Sequence, residues 1–225
     1  MKLIAFDIEA CNRYVPGSIF SIGVIESNYQ FDVLNRYNIL INPETKFVTK
    51  FRKPIDFNID RSSLKCEKNF VALYPALKEL FDSDALFLAH SITNDIRMLN
   101  LACKRYRLPS FKFKFICSQI LYSIYSNTPD GIGLDSAAEL ISENFVHHLA
   151  DEDALLSLKL VQYICKTQGV SLEELLNLYE VIFGSVSRFD IKPMQSQVLN
   201  AQRQKRKEES RENRRQKESA DIDTL

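Results

Sequence analysis

The chain holds no C-x-x-C pair, and its five cysteines (Cys11, Cys66, Cys103, Cys117 and Cys165) are odd in number. That argues against a structural zinc site and for reduced, mostly core thiols in a cytosolic setting. Net charge is missing as well. The 29 basic and 29 acidic side chains cancel, so no overall field draws the chain to nucleic acid, and any such affinity has to come from local patches. No apolar stretch approaches the roughly 18 residues of a membrane span. Asp7 and Glu9 cut the opening MKLIAF far short of a signal-peptide core. The expectation is a soluble, cytoplasmic protein with no membrane partner. No internal repeat is visible.

What is present is enough for a core. Of 225 residues, 45% are hydrophobic, with 15 Phe and 9 Tyr, which suits one substantial domain and excludes global disorder. LIAFDIEA is a short, almost continuous apolar run, as in a strand buried on both faces. SIFSIGVIES and FDVLNRYNILIN read as β-rich segments joined by a hairpin at Asn28–Gln30, and Asn42-Pro43-Glu44 has turn chemistry. FVALYPALKELF has helical spacing, and ALFLAH reads as a second buried strand. Thr93 or Asn94 are candidate caps for a helix through NDIRMLNLACKRY. FKFKFICSQIL looks like a strand, and GLDSAAELISEN and ADEDALLSLKLVQYICKT like helices. SLEELLNLYEVIF reads as an amphipathic helix, with Ser171 and Glu174 spaced as a capping box. Strands gathered early, then strands alternating with helices, imply an α/β fold: a mixed sheet flanked by helices.

The last 31 residues, Gln195 to Leu225, contain no aromatic and hold 8 of the basic and 6 of the acidic residues. Arg203 to Lys217 is the basic part. The expected organisation is a domain over 1–185 and a charged tail over 186–225, disordered or a lone solvated helix.

Three places carry chemistry. Asp7 and Glu9 form D-x-E on a strand, so both carboxylates point to one side. Such a pair repels, and in a buried site one member protonates unless a hard divalent cation neutralises it. The pair lies at the C-terminal end of a buried strand, where open α/β sheets bind ligands. The competing reading is a strand end meeting water. Asp95 follows ALFLAH at a second strand-to-helix junction on the same rim, and its plain alternative is complementing a helix dipole. In VHHLADEDAL, Asp151 and Glu152 suit a helix start. Asp153, one turn in and just before Leu155 and Leu156, is harder to send to solvent. His148, in the loop before the helix, is a natural proton acceptor near neutral pH. His147 reads as an ordinary loop histidine.

Taken in order, DIE, AHSITND and HLADEDA resemble the three motifs of the DEDDh, or DnaQ-like, 3′→5′ exonuclease superfamily. The third, His-x-Ala-x-x-Asp, is complete at His148, Ala150 and Asp153. FSIGVI, NPE, FLAH and LDSAAELI also resemble stretches of that family, and the likeness spans about residues 1–168. It implies a ribonuclease H-like mixed β-sheet flanked by α-helices. It also implies two divalent metal ions, Mg²⁺ or Mn²⁺, held by Asp7, Glu9, Asp95 and Asp153, with Asp7 between them and His148 as general base. The substrate would be a single-stranded 3′ end of DNA or RNA, and the product a nucleoside 5′-monophosphate. The role would be polymerase proofreading, repair or trimming, with the tail a possible dock for a polymerase or other protein.

The family usually carries Thr and Gly where Ala10 and Cys11 stand, followed here by Asn12. Its second motif has other residues at Ser91, after His90, and at Asn94. These six positions are the expected substrate contacts. An aspartate the family carries between motifs two and three is replaced by Cys117 or Ser118. The alternative to an enzyme is a catalytically idle nucleic-acid-binding module on the same fold. KRYRLPSFKFKF mixes five basic residues with four aromatics, as nucleic-acid contacts do. The plainer reading puts Phe111, Phe113 and Phe115 on the buried face of a strand.

Overall fold

The structure is a computed structural model describing residues 2–48, 59–143, 146 and 148–222, with side chains as far as 212. His147 lies outside the described residues. The leading apolar run forms β1 (Lys2–Ala10), whose Leu3, Ile4, Ala5 and Phe6 are 0% exposed. Burial on both faces puts β1 at the centre of a seven-stranded sheet. Its antiparallel neighbours on one side are β2 (Ile19–Asn28) and then the edge strand β3 (Val33–Leu40). On the other side β4 (Leu86–Ala89) and β5 (Phe113–Cys117) run parallel to β1. The antiparallel β7 (Gly184–Ser187) and β8 (Asp190–Lys192) complete the order β3-β2-β1-β4-β5-β7-β8. This is the expected mixed sheet.

Helices α1 (Phe70–Phe81), α2 (Thr93–Arg105), α3 (Ser118–Ser126), α4 (Leu134–Ile141), α5 (Ala150–Gln168) and α6 (Leu172–Leu178) flank it. Asn69 caps α1 by accepting from the Ala72 amide, and the Ser171/Glu174 capping box opens α6 as expected. Phe6, Phe81, Phe87 and Phe113 meet ring to ring in the core. Phe111, Phe113 and Phe115 are buried while Lys112 and Lys114 are exposed, so the aromatics of KRYRLPSFKFKF belong to the core. Among the described residues no helix is long and apolar enough to cross a membrane.

Several expectations are corrected. The strand expected through FKFKFICSQIL stops at Cys117, where β5 reaches the rim, and α3 begins at Ser118. A short apolar run does not by itself distinguish strand from helix. α6 ends at Leu178 rather than continuing through Val181–Ile182, which form β6, a small ladder with β9 (Gln195–Ser196). Thr93 and Asn94 do not cap α2. The helix already includes them, Ile92 holds the cap position, and no side chain bonds there. Position 185 lies inside β7, and the main sheet runs on to Lys192. That last hairpin turns through Arg188 and Phe189, both at positive φ (51° and 66°), without the Asn-Gly signal such turns favour. The buried Asn100 of α2 donates to the Phe189 carbonyl and holds the turn. Of the two readings of the tail, residues 197–222 follow the helical one, but not as a lone helix: they form α7 (Gln197–Ile222), whose first turns pack on α3.

Candidate active site

The C-terminal ends of β1 and β4 and the N-termini of α2 and α5 meet on one rim. Asp7 and Glu9 lie two residues apart on β1, opposite Gly23 and Ser21 of β2, just before a register shift at Glu9/Ala10. Gly23 governs what approaches them. A Cβ at that position would sit 2.0 Å from the carbonyl carbon of Ala150 and 2.1 Å from the Asp151 amide nitrogen. The missing side chain therefore lets the start of α5 lie directly on the sheet, and Ala150, 1% exposed, adds no bulk of its own.

That approach delivers Asp153. It is 2% exposed, in the first turn of α5, and its Oδ2 accepts from the His148 amide at 3.1 Å. His148 holds a left-handed backbone (φ 66°), uncommon for a residue with a Cβ, which turns its ring toward β1. Its Nδ1 lies 3.4 Å from Glu9 Oε1. Ligand atoms of Glu9, His148 and Asp153 all fall within 4.8 Å of one another. Asp95, 7% exposed, completes the rim from the first turn of α2.

The electrostatics bind these acids into one site. Burial raises the Asp7 carboxyl well above the usual carboxylate range, and the Asp153 charge adds to it. Glu9 is pushed up to about 9, by burial first and then by Asp7 and Asp153. Asp95 is raised by burial and by Asp7, against hydrogen bonds from its own amide and that of Ile8. Carboxylates so placed either bind protons or share a cation. An all-oxygen acidic set is the donor chemistry of hard divalent ions, so the residues fit the metals that the motifs imply.

The other acids of VHHLADEDAL have a different task. Arg36 of β3 donates from Nε to Asp151 Oδ2 at 2.7 Å and from Nη2 to Glu152 Oε1 at 2.5 Å. This fork ties the start of α5 to the edge strand across 115 residues of sequence. Neither Arg36 nor Gly23 stood out in the sequence; their only signal is a cross-strand register that depends on the fold.

The six expected substrate contacts divide. Ala10, Cys11 and Asn12 line a cavity of about 310 Å³ beside the acids, together with Arg13, Met98 and Leu101. The Cys11 side chain, however, is packed with Phe20 and Leu64. Asn12 is turned inward, donating to the Lys46 carbonyl and to Thr45, and accepting from the Tyr14 amide, so it holds the loop's shape. His90 is structural in its contacts: Nε2 donates to the Ile132 carbonyl at 2.8 Å, and Nδ1 faces the Ser118 hydroxyl at 2.9 Å. Burial pushes its pKa down to about 4, so the ring is neutral near pH 7. Ser91 bonds Gln119, and Asn94 is exposed at the start of α2. Ser118, one of the two positions at which the motifs led an acid to be expected, is fully buried against His90.

No family model matches the chain, and neither does any curated protein. Solved structures do. Exonuclease X in complex with 5′ overhanging duplex DNA is 19% identical, with a TM-score of 0.54 over 78% of this chain and 98% of that one. A 3′-exonuclease in 3′-end specific recognition of a histone mRNA stem-loop is 13% identical, with a TM-score of 0.58 over 86% and 74%. E. coli Exonuclease I with an oligonucleotide is 12% identical, with a TM-score of 0.55 over 79% and 42%. The likeness shows the fold: a ribonuclease H-like mixed sheet with flanking helices.

Proposed function

We propose that this chain, folded as DnaQ-like 3′-exonucleases are, is itself a metal-dependent 3′→5′ exonuclease acting on single-stranded ends of DNA or RNA. The observation that carries the reading is the meeting of Glu9, His148 and Asp153 within 4.8 Å, in contact by charge with Asp7 and Asp95. An idle binding module has no need of buried, mutually repelling carboxylates, because their repulsion costs stability and contributes nothing to holding a strand.

Asp7, Glu9, Asp95 and Asp153 would hold two divalent ions, Mg²⁺ or Mn²⁺. When bound, such ions supply an activated water and stabilise the departing 3′-oxygen of an in-line displacement. His148, with Nδ1 turned to Glu9, presents Nε2 to take the proton of the attacking water. The new P–O bond forms as the bond to the 3′-oxygen breaks. That oxygen gains a proton, and a nucleoside 5′-monophosphate leaves. The His148 amide holds Asp153, so base and ligand move as one unit. The cavity between Ala10 and Leu101 would seat the terminal nucleotide, with Arg13 at its mouth. Five free cysteines agree with a reducing, cytoplasmic setting.

The test is a 5′-labelled single strand, as DNA and as RNA, with Mg²⁺ or Mn²⁺ against EDTA. Metal-dependent shortening from the 3′ end is expected, abolished by Asp7→Ala and by Asp153→Ala. His148→Ala should cut the rate about 10²–10⁴-fold, the usual contribution of a general base, with metal binding by calorimetry retained. No shortening by the unmodified protein removes the enzyme reading. Activity surviving both aspartate changes removes the site assignment.

A further inference from the structure

The loop between β1 and β2, residues 11–18, is fastened at both ends and along one side. The Cys11 and Asn12 amides donate to the Ser18 carbonyl and hydroxyl, and that hydroxyl donates in turn to the Asn12 carbonyl. The Asn12 side chain ties the loop to Thr45 and Lys46. Gly17, at φ 73°, lies so close to α2 that a Cβ there would sit 2.3 Å from the Ala102 amide nitrogen. Ordering a surface loop this fully costs conformational entropy, and the residues that gain from such support are those that must meet a ligand in one geometry.

The loop presents a single charge. Arg13 and Tyr14 are both exposed, Tyr14 at 58%. The Arg13 guanidinium lies over the Tyr14 ring, 4.7 Å from its centroid, and donates from Nη2 to the Tyr14 hydroxyl at 2.7 Å. This contact braces the guanidinium and leaves its other N–H groups open. Among the described residues no carboxylate pairs with Arg13. It is also the one charged residue lining the cavity of about 310 Å³ beside the acids. The other walls are mostly apolar, with Val15, Pro16, Val48, Met98 and Leu101, and the polar atoms of Asn12 and Ser18 are engaged within the loop and its supports. A base entering such a cavity is held by apolar contact and has no use for a cation. An open guanidinium at its edge matches a phosphate, which it can take by two parallel N–H···O bonds.

We propose that Arg13, braced by Tyr14, holds a phosphate of the substrate strand upstream of the one that is cut, at the second or third linkage from the 3′ end. The ligand rests on the exonuclease reading, since only a strand places a further phosphate next to the one at the acids. The clamp itself rests on the fixed loop, the unpaired charge and the apolar cavity. It supplies attraction for the strand outside a rim whose own carboxylates repel phosphate.

A chemical double-mutant cycle on the full chain tests the contact. Labelled DNA strands of about 12 nucleotides, within the usual span of a single-strand site, carry either natural phosphates or one neutral methylphosphonate at the second or the third linkage. Arg13→Ala is expected to lower kcat/KM on the natural strand about 10–100-fold, the range of a charge-assisted hydrogen bond. At one of the two linkages the methylphosphonate should cost the unmodified chain about as much, and cost Arg13→Ala little more. Arg13→Lys keeps the charge without the fork and should recover only part of the loss. No loss in Arg13→Ala, or losses that multiply independently at both linkages, overturn the proposal. The same cycle read by fluorescence anisotropy in EDTA separates the clamp from the reaction. If the chain never shortens a strand yet the coupling appears in binding, the exonuclease reading falls and the phosphate contact stands.

Discussion

Gly23 lies directly beneath the peptide that joins Ala150 to Asp151, so closely that a single methyl group there would overlap the Ala150 carbonyl carbon at 2.0 Å. Because Gly23 is also the register partner of Asp7, the same contact sets the distance between the first and last motif acids. Gly23→Ala forces α5 off the sheet. Overpacking of this kind costs about 1–3 kcal/mol, a melting shift of roughly 2–12 °C for a domain of this size. The proposed exonuclease activity is expected to fall further than stability does. A melting temperature within a degree of the unmodified protein would show that α5 does not rest on β2 as described.

The Arg36 fork predicts a split between stability and turnover. Its partners are partly exposed, so the ion pairs contribute only about 0–1 kcal/mol, and Arg36→Ala should melt within a few degrees of the unmodified protein. Turnover should drop about tenfold or more, because a misplacement of about 1 Å at a catalytic group can cost about 10²-fold in rate. Arg36→Lys keeps the charge but loses the two-pronged geometry and should recover only part of the rate. Full activity in Arg36→Ala would make the fork a surface contact only.

The acids predict that the metal-free protein is destabilised by its own active site. Glu9 ionises near 9 in the folded chain against an ordinary value of 4.5. Its protonated form is favoured by folding, so its contribution is complete below about pH 4.5 and is lost as pH rises toward 9. In EDTA, Glu9→Gln should therefore melt higher than the unmodified protein near pH 8 and level with it near pH 4. Asp7→Asn should behave in the same direction. Saturating Mg²⁺ should stabilise the unmodified protein by about 2.7 kcal/mol at a hundredfold excess over Kd, with a matching rise in melting temperature, and Asp7→Asn much less. Equal melting with and without metal would remove the metal site.

His90 works with the opposite sign. Its folded pKa is pushed down to about 4 from 6.5, so the stability it contributes is present above pH 6.5 and is lost as pH falls through that window toward 4. His90→Asn should lower the melting temperature near pH 8, since it breaks the bonds to Ser118 and Ile132. It should also flatten the dependence between pH 6.5 and 4. A variant with the same slope as the unmodified protein would show that His90 is not the buried neutral group described.

Much of the site was legible because its signals are local. D-x-E on a strand, Asp at a strand-to-helix junction and His-x-Ala-x-x-Asp at a helix start are each set by a few neighbouring residues, and their order implied one family. Charge repulsion within D-x-E pointed toward a cation, and its place at a strand end together with the ordered motifs carried that reading. Ala150 was legible as a member of the third motif, yet the partner that makes its small size matter, Gly23, lies far upstream. Arg36 looked like any edge-strand arginine, and Asp151 and Glu152 looked like helix-start acids. His90, an expected substrate contact, is half-buried with its two ring nitrogens facing Ser118 and Ile132, partners that its local sequence does not announce.

The sequence by itself determined most of the helices, the central buried strand and the acidic constellation, because apolar periodicity and short motifs act over a turn or a strand. Only the tertiary structure decided how closely α5 meets β2, which arginine holds it there, where the sheet ends beyond β7, and that α7 is anchored on α3. These depend on contacts between residues far apart in the chain, whose pairing is set by sheet register and helix packing and leaves no mark in local composition.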